Sequence, residues 1–284
     1  MDALERGNAF AALPTWRTVA VTGTDARSWL HDLVTADVEG LPDRRTRRSL
    51  LLSPTGRIRA DFHVASVDGS FLLMQAPEQP EAVDTILAPY VLSSDVELDD
   101  RTDRSVVVAV VGRSVDGDGD GMVALEPSVL GSGCDYVVRR GDGLARLRER
   151  LASAGLVEVA PEDLESWRIL RGIARMGADF GPEALPAEAG LEDAIDFTKG
   201  CFLGQESVAK VRNLGHPPRL LLPVRSRAPI ASGAPVLAGR LPVGEVTSST
   251  HAREGTAAIV RVRWEAASMP LATEAGPLSL QREQ

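Results

Sequence analysis

After about residue 213 the chain stops making helices. Residues 220–224, 235–237, 244–248 and 257–262 are short aliphatic runs, each bounded by Gly or Pro. Such runs read as strands joined by tight turns. With no helix between them to cover a face, they bury their apolar sides against one another, which implies a small β-barrel or sandwich. Upstream the pattern is mixed. Residues 18–22 form a strand, and Gly23-Thr24-Asp25 opens a helix with Trp29, Leu30, Leu33 and Val34 on one face. Residues 49–52 and 57–67 are strands joined by Ser53-Pro54-Thr55-Gly56, with Pro and Gly at the turn positions that suit them. Asp68-Gly69 makes the next hairpin. Pro80 opens a helix carrying Val83, Ile86, Leu87 and Tyr90. Residues 106–111 form a buried strand, Leu144, Leu147 and Leu151 line a helix ending near Gly155, and Pro161 opens another over 162–171. Residues 172–200 are loop-like. The fold class is α+β.

Several function classes are excluded or disfavoured. A chain of 284 residues, 44% apolar and 25% charged, can bury cores for two or three domains. Aromatics are 4% and net charge is −9, which disfavours stacking on single-stranded nucleic acid or spreading on an anionic membrane. Arg44, Arg45, Arg47, Arg48, Arg57 and Arg59 are a local exception, read first as a solvated strand face and second as an anion-binding rim. No Gly-x-Gly-x-x-Gly links a strand to a helix, so a Rossmann site is not expected. Two cysteines without a Cys-x-x-Cys and four scattered histidines do not make a resident zinc or iron–sulfur site. Asp116-Gly117-Asp118-Gly119-Asp120-Gly121 opens like a calcium loop, but Pro127 stands where the bidentate Glu is needed, so it reads as an acidic surface loop. No apolar run is of transmembrane length and residues 1–6 are not a signal peptide, so a cytoplasmic protein is expected.

The densest chemistry lies in Lys199-Gly200-Cys201-Phe202-Leu203-Gly204-Gln205-Glu206. Lys199 and Lys210 are the only lysines among 31 basic residues, and Cys201 is one of two cysteines. A thiolate is the reactive form of Cys, and a neighbouring cation or helix N-terminus favours it. Gly204 to Val211 reads as a helix start with Glu206 in its first turn. The plain reading, a buried Cys in a glycine-bearing turn, stands beside the functional one.

This octapeptide resembles the signature of YgfZ-type proteins, folate-binding relatives of the glycine-cleavage T-protein that act in iron–sulfur cluster assembly or repair. Shorter strings follow the same family order: Trp29-Leu30, Leu33 to Val38, Ser53 to Arg57, Arg171-Gly172-Ile173, Leu185-Pro186 with Glu188, and Val243 to Ser248. The resemblance implies three domains in a ring around a channel that holds folate. These are a discontinuous α+β domain (1–48 and 140–212), a middle α+β domain (49–139) and a C-terminal β-barrel (213–284). It implies Cys201 and Lys199 as the chemical pair, with Gly200, Phe202, Gly204, Gln205 and Glu206 shaping the motif. Arg59, Asp61, Arg168 and Arg171 become folate-contact candidates. Tetrahydrofolate is the implied cofactor, and iron–sulfur assembly or client proteins are the implied partners.

Three functions remain open. The first is an iron–sulfur accessory factor using Cys201 as cluster ligand, redox thiol or nucleophile. The second is an aminomethyltransferase, which would make the chain an enzyme of folate-dependent one-carbon transfer. The third is a folate-sensing scaffold. Ala82 and Leu170 stand where T-proteins carry their two functional carboxylates, which weighs against the second.

Overall fold

The computed structural model describes residues 2–112, 114, 115 and 122–281. The acidic run 116–121 lies outside the described residues. The helices are α1 (Asp2–Glu5), α2 (Ala26–Leu33), α3 (Val83–Leu87), α4 (Asp142–Ser153), α5 (Pro161–Leu170), α6 (Pro186–Ala189) and α7 (Gln205–Leu214). The strands are β1 (Asn8–Leu13), β2 (Arg17–Thr22), β3 (Thr46–Leu52), β4 (Ile58–Val67), β5 (Ser70–Gln75), β6 (Glu97–Asp100), β7 (Ser105–Gly112), β8 (Val123–Leu125), β9 (Cys134–Arg139) and β10 (Val157–Glu158). They continue with β11 (Arg219–Ser226), β12 (Pro235–Ala238), β13 (Leu241–Ala252), β14 (Gly255–Arg263), β15 (Leu271–Thr273), β16 (Gly276–Pro277) and β17 (Ser279–Leu280). No described helix is long and apolar enough to cross a membrane.

The chain divides into two compact units. The first holds Met1–Ser53, Arg59–Leu164 and Ala194–Leu203, and the second Pro54–Ile58, Glu165–Asp193 and Gly204–Gln284. The first unit is built on two sheets, ordered β10-β1-β7-β9-β8 and β3-β4-β5-β2-β6. Strands from 49–139 enter both: β7, β8 and β9 join β1, while β4, β5 and β6 join β2. Neither sheet is therefore made of one contiguous stretch. β7 is central in its sheet and buried from Ser105 to Val111, which explains its unbroken aliphatic sequence. Val106, Val108 and Val110 pack with Leu147 and Leu151 of α4. In the other sheet, Trp29 and Leu30 of α2 pack on Phe62, Val64, Phe71 and Leu73.

The second unit contains a seven-stranded sheet ordered β16-β15-β12-β13-β14-β11-β17. Its edge strands β16 and β17 are neighbours in the chain, so the sheet is nearly closed on itself, a barrel-like solution that hides its edges. Val224, Val236, Val246, Val260 and Val262 fill it.

One element differs from the pattern. The helix expected from Pro80 starts at Val83. Side chains fix the bend that precedes it: Arg17 donates to the carbonyls of Gln79 and Glu81, and the Gln75 Oε1 accepts the Val83 N–H at 3.0 Å, with Ala82 extended between them. A remote amide thus does the work of an N-cap.

Asp135 on β9 is fully buried and accepts Ser128 Oγ–H at 2.6 Å and the Val129 N–H at 2.7 Å. Burial, the dominant cause, pushes its pKa up to about 7 against those two hydrogen bonds. Between the unfolded value of 3.8 and about 7, the unfolded chain has released a proton that the folded chain keeps. Stability contributed by Asp135 is therefore complete below the lower value and lost as pH rises through the upper one. Relative to Asp135→Asn, the wild type should lose on the order of a few kcal/mol from pH 4 to pH 7.5. Thermal melts of both proteins across that range check this, and parallel curves would refute the shifted carboxyl.

Candidate functional site: the Cys201 loop and its supports

The motif loop is tied down on both sides of its thiol. Upstream, the Asp196 carboxylate accepts the N–H and Oγ–H of Thr198 and the N–H of Lys199, at 2.8, 2.6 and 3.2 Å. These bonds hold Asp196 below the usual carboxylate range, with Arg47 of β3 adding to the effect from 3.8 Å. Lys199 Nζ donates to the carbonyls of His31, of Val34 at 2.7 Å and of Ala36 at 3.2 Å. These carbonyls lie at and just beyond the C-terminal end of α2, where unpaired acceptors and the negative dipole end favour a cation. Downstream, Phe202 is buried, its ring 5.4 Å from the Lys199 ammonium, and Leu203 packs on the core beneath α2. Between these anchors Cys201 is exposed.

Lys199 was expected to bias the Cys201 thiol directly. An ammonium has three donors, and all three go to carbonyls. Lys199 therefore fixes the loop and has no N–H left for the thiol. Burial lowers its pKa to about 8, against the opposing pull of Asp37, Asp32, Asp196 and Glu39.

The other cysteine has a different environment. Cys134 on β9 is buried, and its thiol is pushed up to about 11. Its neighbour Asp135 contributes, as the sequence suggested, but burial is the larger cause.

The remainder of the motif belongs to the second unit. Gly204 sits at φ 83°, a left-handed conformation that glycine adopts without strain, and forms the N-cap of α7. Gln205 is half-buried and Glu206 exposed in the first turn. The turn before β4 closes on this helix. Ser207 Oγ donates to the Pro54 carbonyl at 3.2 Å, and a Cβ on Gly56 would stand 2.8 Å from the Ser207 Cβ. Gly56 is thus required by close approach.

Arg168 and Arg171, near the end of α5, differ sharply. Arg168 is buried and spends its fork within the unit on Glu165, Asp179, Ser248 and the Ile173 carbonyl. Asp179, fully buried, also accepts Thr247 and Ser248 hydroxyls and the Arg175 N–H. The sequence offered no periodic signal for Asp179; only its isolation in a Gly-rich loop marks it. Arg171 is exposed, its guanidinium 5.5 Å from the Trp167 ring centroid. In the first unit Asp61 is buried and takes both arms of Arg48, at 2.9 and 2.6 Å, while Arg59 makes an exposed pair with Glu81 at 3.1 Å.

These contacts test the fit to a folate. A carboxylate-bearing ligand can exchange for the exposed Glu81 at Arg59 or meet the open face of Arg171, because exposed ion pairs hold weakly. Arg168 and Asp61 have their partners already. They fit as framework and not as direct contacts, unlike the role expected of them.

Two outcomes follow from the loop. Ellman's reagent at pH 7 should label Cys201 in the native protein at least about 100-fold faster than Cys134, whose thiolate is scarce. Equal rates in the single-Ser variants would contradict that. Lys199→Met should cost about 1–3 kcal/mol, because three buried carbonyls lose their donor. Faster hydrogen exchange at 196–203 would report the freed loop, and unchanged exchange would show that the clamp is dispensable.

Residues 7–115 match the family model of the GCVT N-terminal domain. The chain is similar to a putative chloroplastic transferase of Arabidopsis thaliana, 24% identical over 90% of this chain and 65% of the relative. It is also similar to the tRNA-modifying protein YgfZ of Vibrio atlanticus, 26% identical over 70% of this chain and 64% of the relative. A mitochondrial iron–sulfur cluster assembly factor IBA57 homologue of Pyricularia oryzae is 29% identical over 75% of this chain and 56% of its own length. The chain thus spans less than two thirds of the length of these relatives. Among solved structures, the glycine cleavage system aminomethyltransferase T of Bartonella henselae matches with a TM-score of 0.81 at 20% identity, covering 100% of this chain and 88% of that one. Residues 7–115 thus match the GCVT N-terminal domain model, the chain is similar to proteins named YgfZ and IBA57, and its fold is that of the glycine-cleavage T-protein.

Proposed function

We propose that this protein is a tetrahydrofolate-binding accessory factor for iron–sulfur cluster assembly or repair, acting in the cytoplasm, with the Cys201 thiol as its working group. The observation that carries the reading is the exposed thiol on a loop pinned by Lys199, Asp196 and Phe202. A structural cysteine is buried, as Cys134 is; an anchored and exposed one is placed for chemistry. The names of the YgfZ and IBA57 relatives supply the process. Folate binding rests on the T-protein fold and on Arg59 and Arg171. Folate would supply a one-carbon carrier, and this chain's part is to hold its carboxylates.

Aminomethyl transfer is not supported. The buried polar groups beside Ala82 include the amides of Gln75 and Gln79, joined to each other at 3.1 Å, and one carboxylate oxygen of Asp84, which stands in the first turn of α3 two positions after Ala82. Glu81 faces Arg59 on the surface. Leu170 packs with the apolar side chains of Ile169, Ala252 and Ala257.

Three measurements test the proposal. Cys201→Ser should stay within about 0.5 kcal/mol of wild-type stability, as exposed substitutions do, and lose at least tenfold in a reconstituted assay of cluster transfer to an apo client. Full activity of that variant would favour the scaffold reading. Calorimetry with tetrahydrofolate should show binding weakened about tenfold in Arg59→Ala or Arg171→Ala, the loss of a charge-assisted hydrogen bond; no heat with wild type removes folate from the proposal. A reconstituted glycine-cleavage assay should show no turnover above background, and turnover like that of a T-protein would overturn the reading.

A further inference from the structure

The C-terminal sheet carries charge of the opposite sign to the chain as a whole. Residues 213–284 hold eight arginines against five glutamates, with no aspartate and no lysine, a net of +3 within a chain of −9. Alternation along β11 and β14 sorts these side chains. Val224, Val260 and Val262 fill the sheet's core, so Arg219, Arg261 and Arg263, an odd number of steps away, point outward. Arg261 is closed by Glu245 on the neighbouring strand. Arg219 and Arg263 are not closed. They stand directly opposite each other in the β11–β14 register, both are exposed, and among the described residues neither has an acid within ion-pair distance. Like charges opposed across a ladder destabilise it. An anion held between the two guanidinium groups removes that repulsion.

An aromatic stack stands on the adjoining residues of the same two segments. Trp264 follows Arg263, and its N–H donates to the Pro218 carbonyl at 3.0 Å, one position before Arg219. The chain entering β11 brings His216 onto the indole, with ring centroids 3.7 Å apart and planes 11° from parallel. Pro217 and Pro218 fix two backbone angles between the ring and the strand, so the imidazole is placed with little freedom. Trp264 is nevertheless 41% exposed, and His216 is exposed. Large aromatic side chains ordinarily bury most of their area; this pair is ordered and open.

Two open guanidinium groups beside a preformed aromatic surface match a planar base joined to a phosphate. The phosphate takes charge-assisted hydrogen bonds from the planar forks, and the base stacks on the rings. Glu265, next after Trp264 and also exposed, opposes an anion with one charge against two. The net charge of −9 and the 4% aromatic content disfavour such binding by the surface at large. Salt screens exposed charges beyond about 8–10 Å, so the residues at this end of the sheet decide the matter locally.

We propose that Arg219, Arg263, Trp264 and His216 form a binding site for a nucleotide unit, free or within a single strand of RNA. The phosphate lies between the two arginines and the base lies on the aromatic pair. The site goes beyond the cluster-assembly reading and uses neither Cys201 nor folate.

The test is fluorescence anisotropy of a labelled RNA strand of about twelve nucleotides with the full-length protein, at salt from about 50 to 200 mM. Affinity should fall with salt with a log–log slope of at least about 0.7, the value for one phosphate of a single strand. Trp264→Ala should weaken binding about tenfold, the loss of one stacked base, and His216→Ala should act in the same direction if Trp264→Ala does not fold. Arg219→Glu and Arg263→Glu should each weaken binding about tenfold and flatten the salt slope. Arg227→Glu, exposed just beyond the other end of β11, should stay within about twofold of wild type and so reports any effect of net charge alone. AMP that displaces the strand shows that the free nucleotide is a ligand; AMP that does not, with the other effects intact, assigns the site to the strand. No binding at about 100 µM protein, the weak end for phosphate-led association, overturns the proposal. It is overturned equally if poly-glutamate binds as tightly as RNA, if Arg227→Glu costs as much as Arg219→Glu, or if neither ring substitution weakens binding.

Discussion

The ammonium of Lys199, held by three carbonyls at the end of α2, is the contact on which the site depends. It joins residues far apart in sequence, and no other side chain in the motif could replace it. A helix ends with acceptors that have lost their donors. A flexible, compact cation can reach several of them at once, whereas a planar guanidinium is shaped for flat, bidentate partners. That difference explains a lysine here in a chain whose other cations are nearly all arginine. The same clamp sets the loop's height above the core, and so decides that Cys201 meets solvent while Phe202 does not.

Arginine does the opposite work elsewhere. Arg44, Arg45, Arg47, Arg48, Arg57 and Arg59 each face a carboxylate of their own unit: Asp68, Glu126, Asp196, Asp61, Glu183 and Glu81. The cluster is a row of ion pairs and not a ready anion rim. Most of these pairs are exposed and contribute little to stability. Arg48–Asp61 and Arg168–Asp179 are different, because their acids are buried. Breaking such a pair leaves an uncompensated charge, so these two fix geometry more than they add net stability. Arg168 and Asp179 in particular bind the end of α5 to Thr247 and Ser248 of β13.

These two uses of charge suit the proposed chemistry. A thiol that works on another molecule must be exposed, yet it must not wander. Side-chain clamps placed one residue or a few residues away give both. The Asp196 turn, the Lys199 ammonium and the Phe202 ring leave a short exposed segment between fixed points.

The sequence by itself determined most of the elements and singled out the motif cysteine, which the structure leaves exposed. Aliphatic runs between Gly and Pro became β11 to β14, the Ser53–Gly56 turn and the Asp68-Gly69 hairpin appeared where their residues demand them, and α7 began at Gly204. These features are local, and local propensity decides them. The start of α3 was not legible, because the Gln75 side chain that receives the Val83 N–H comes from the end of β5, outside the helix's own sequence signals. The direction of Lys199 and the closed pairs of Arg168 and Asp61 were equally hidden. Each joins residues tens of positions or more apart, or depends on which acid a cation meets first. Spacing along a chain carries no information about that. Only the packing of α2, β3 and the motif loop decided which charges would meet and which side of the loop would face solvent.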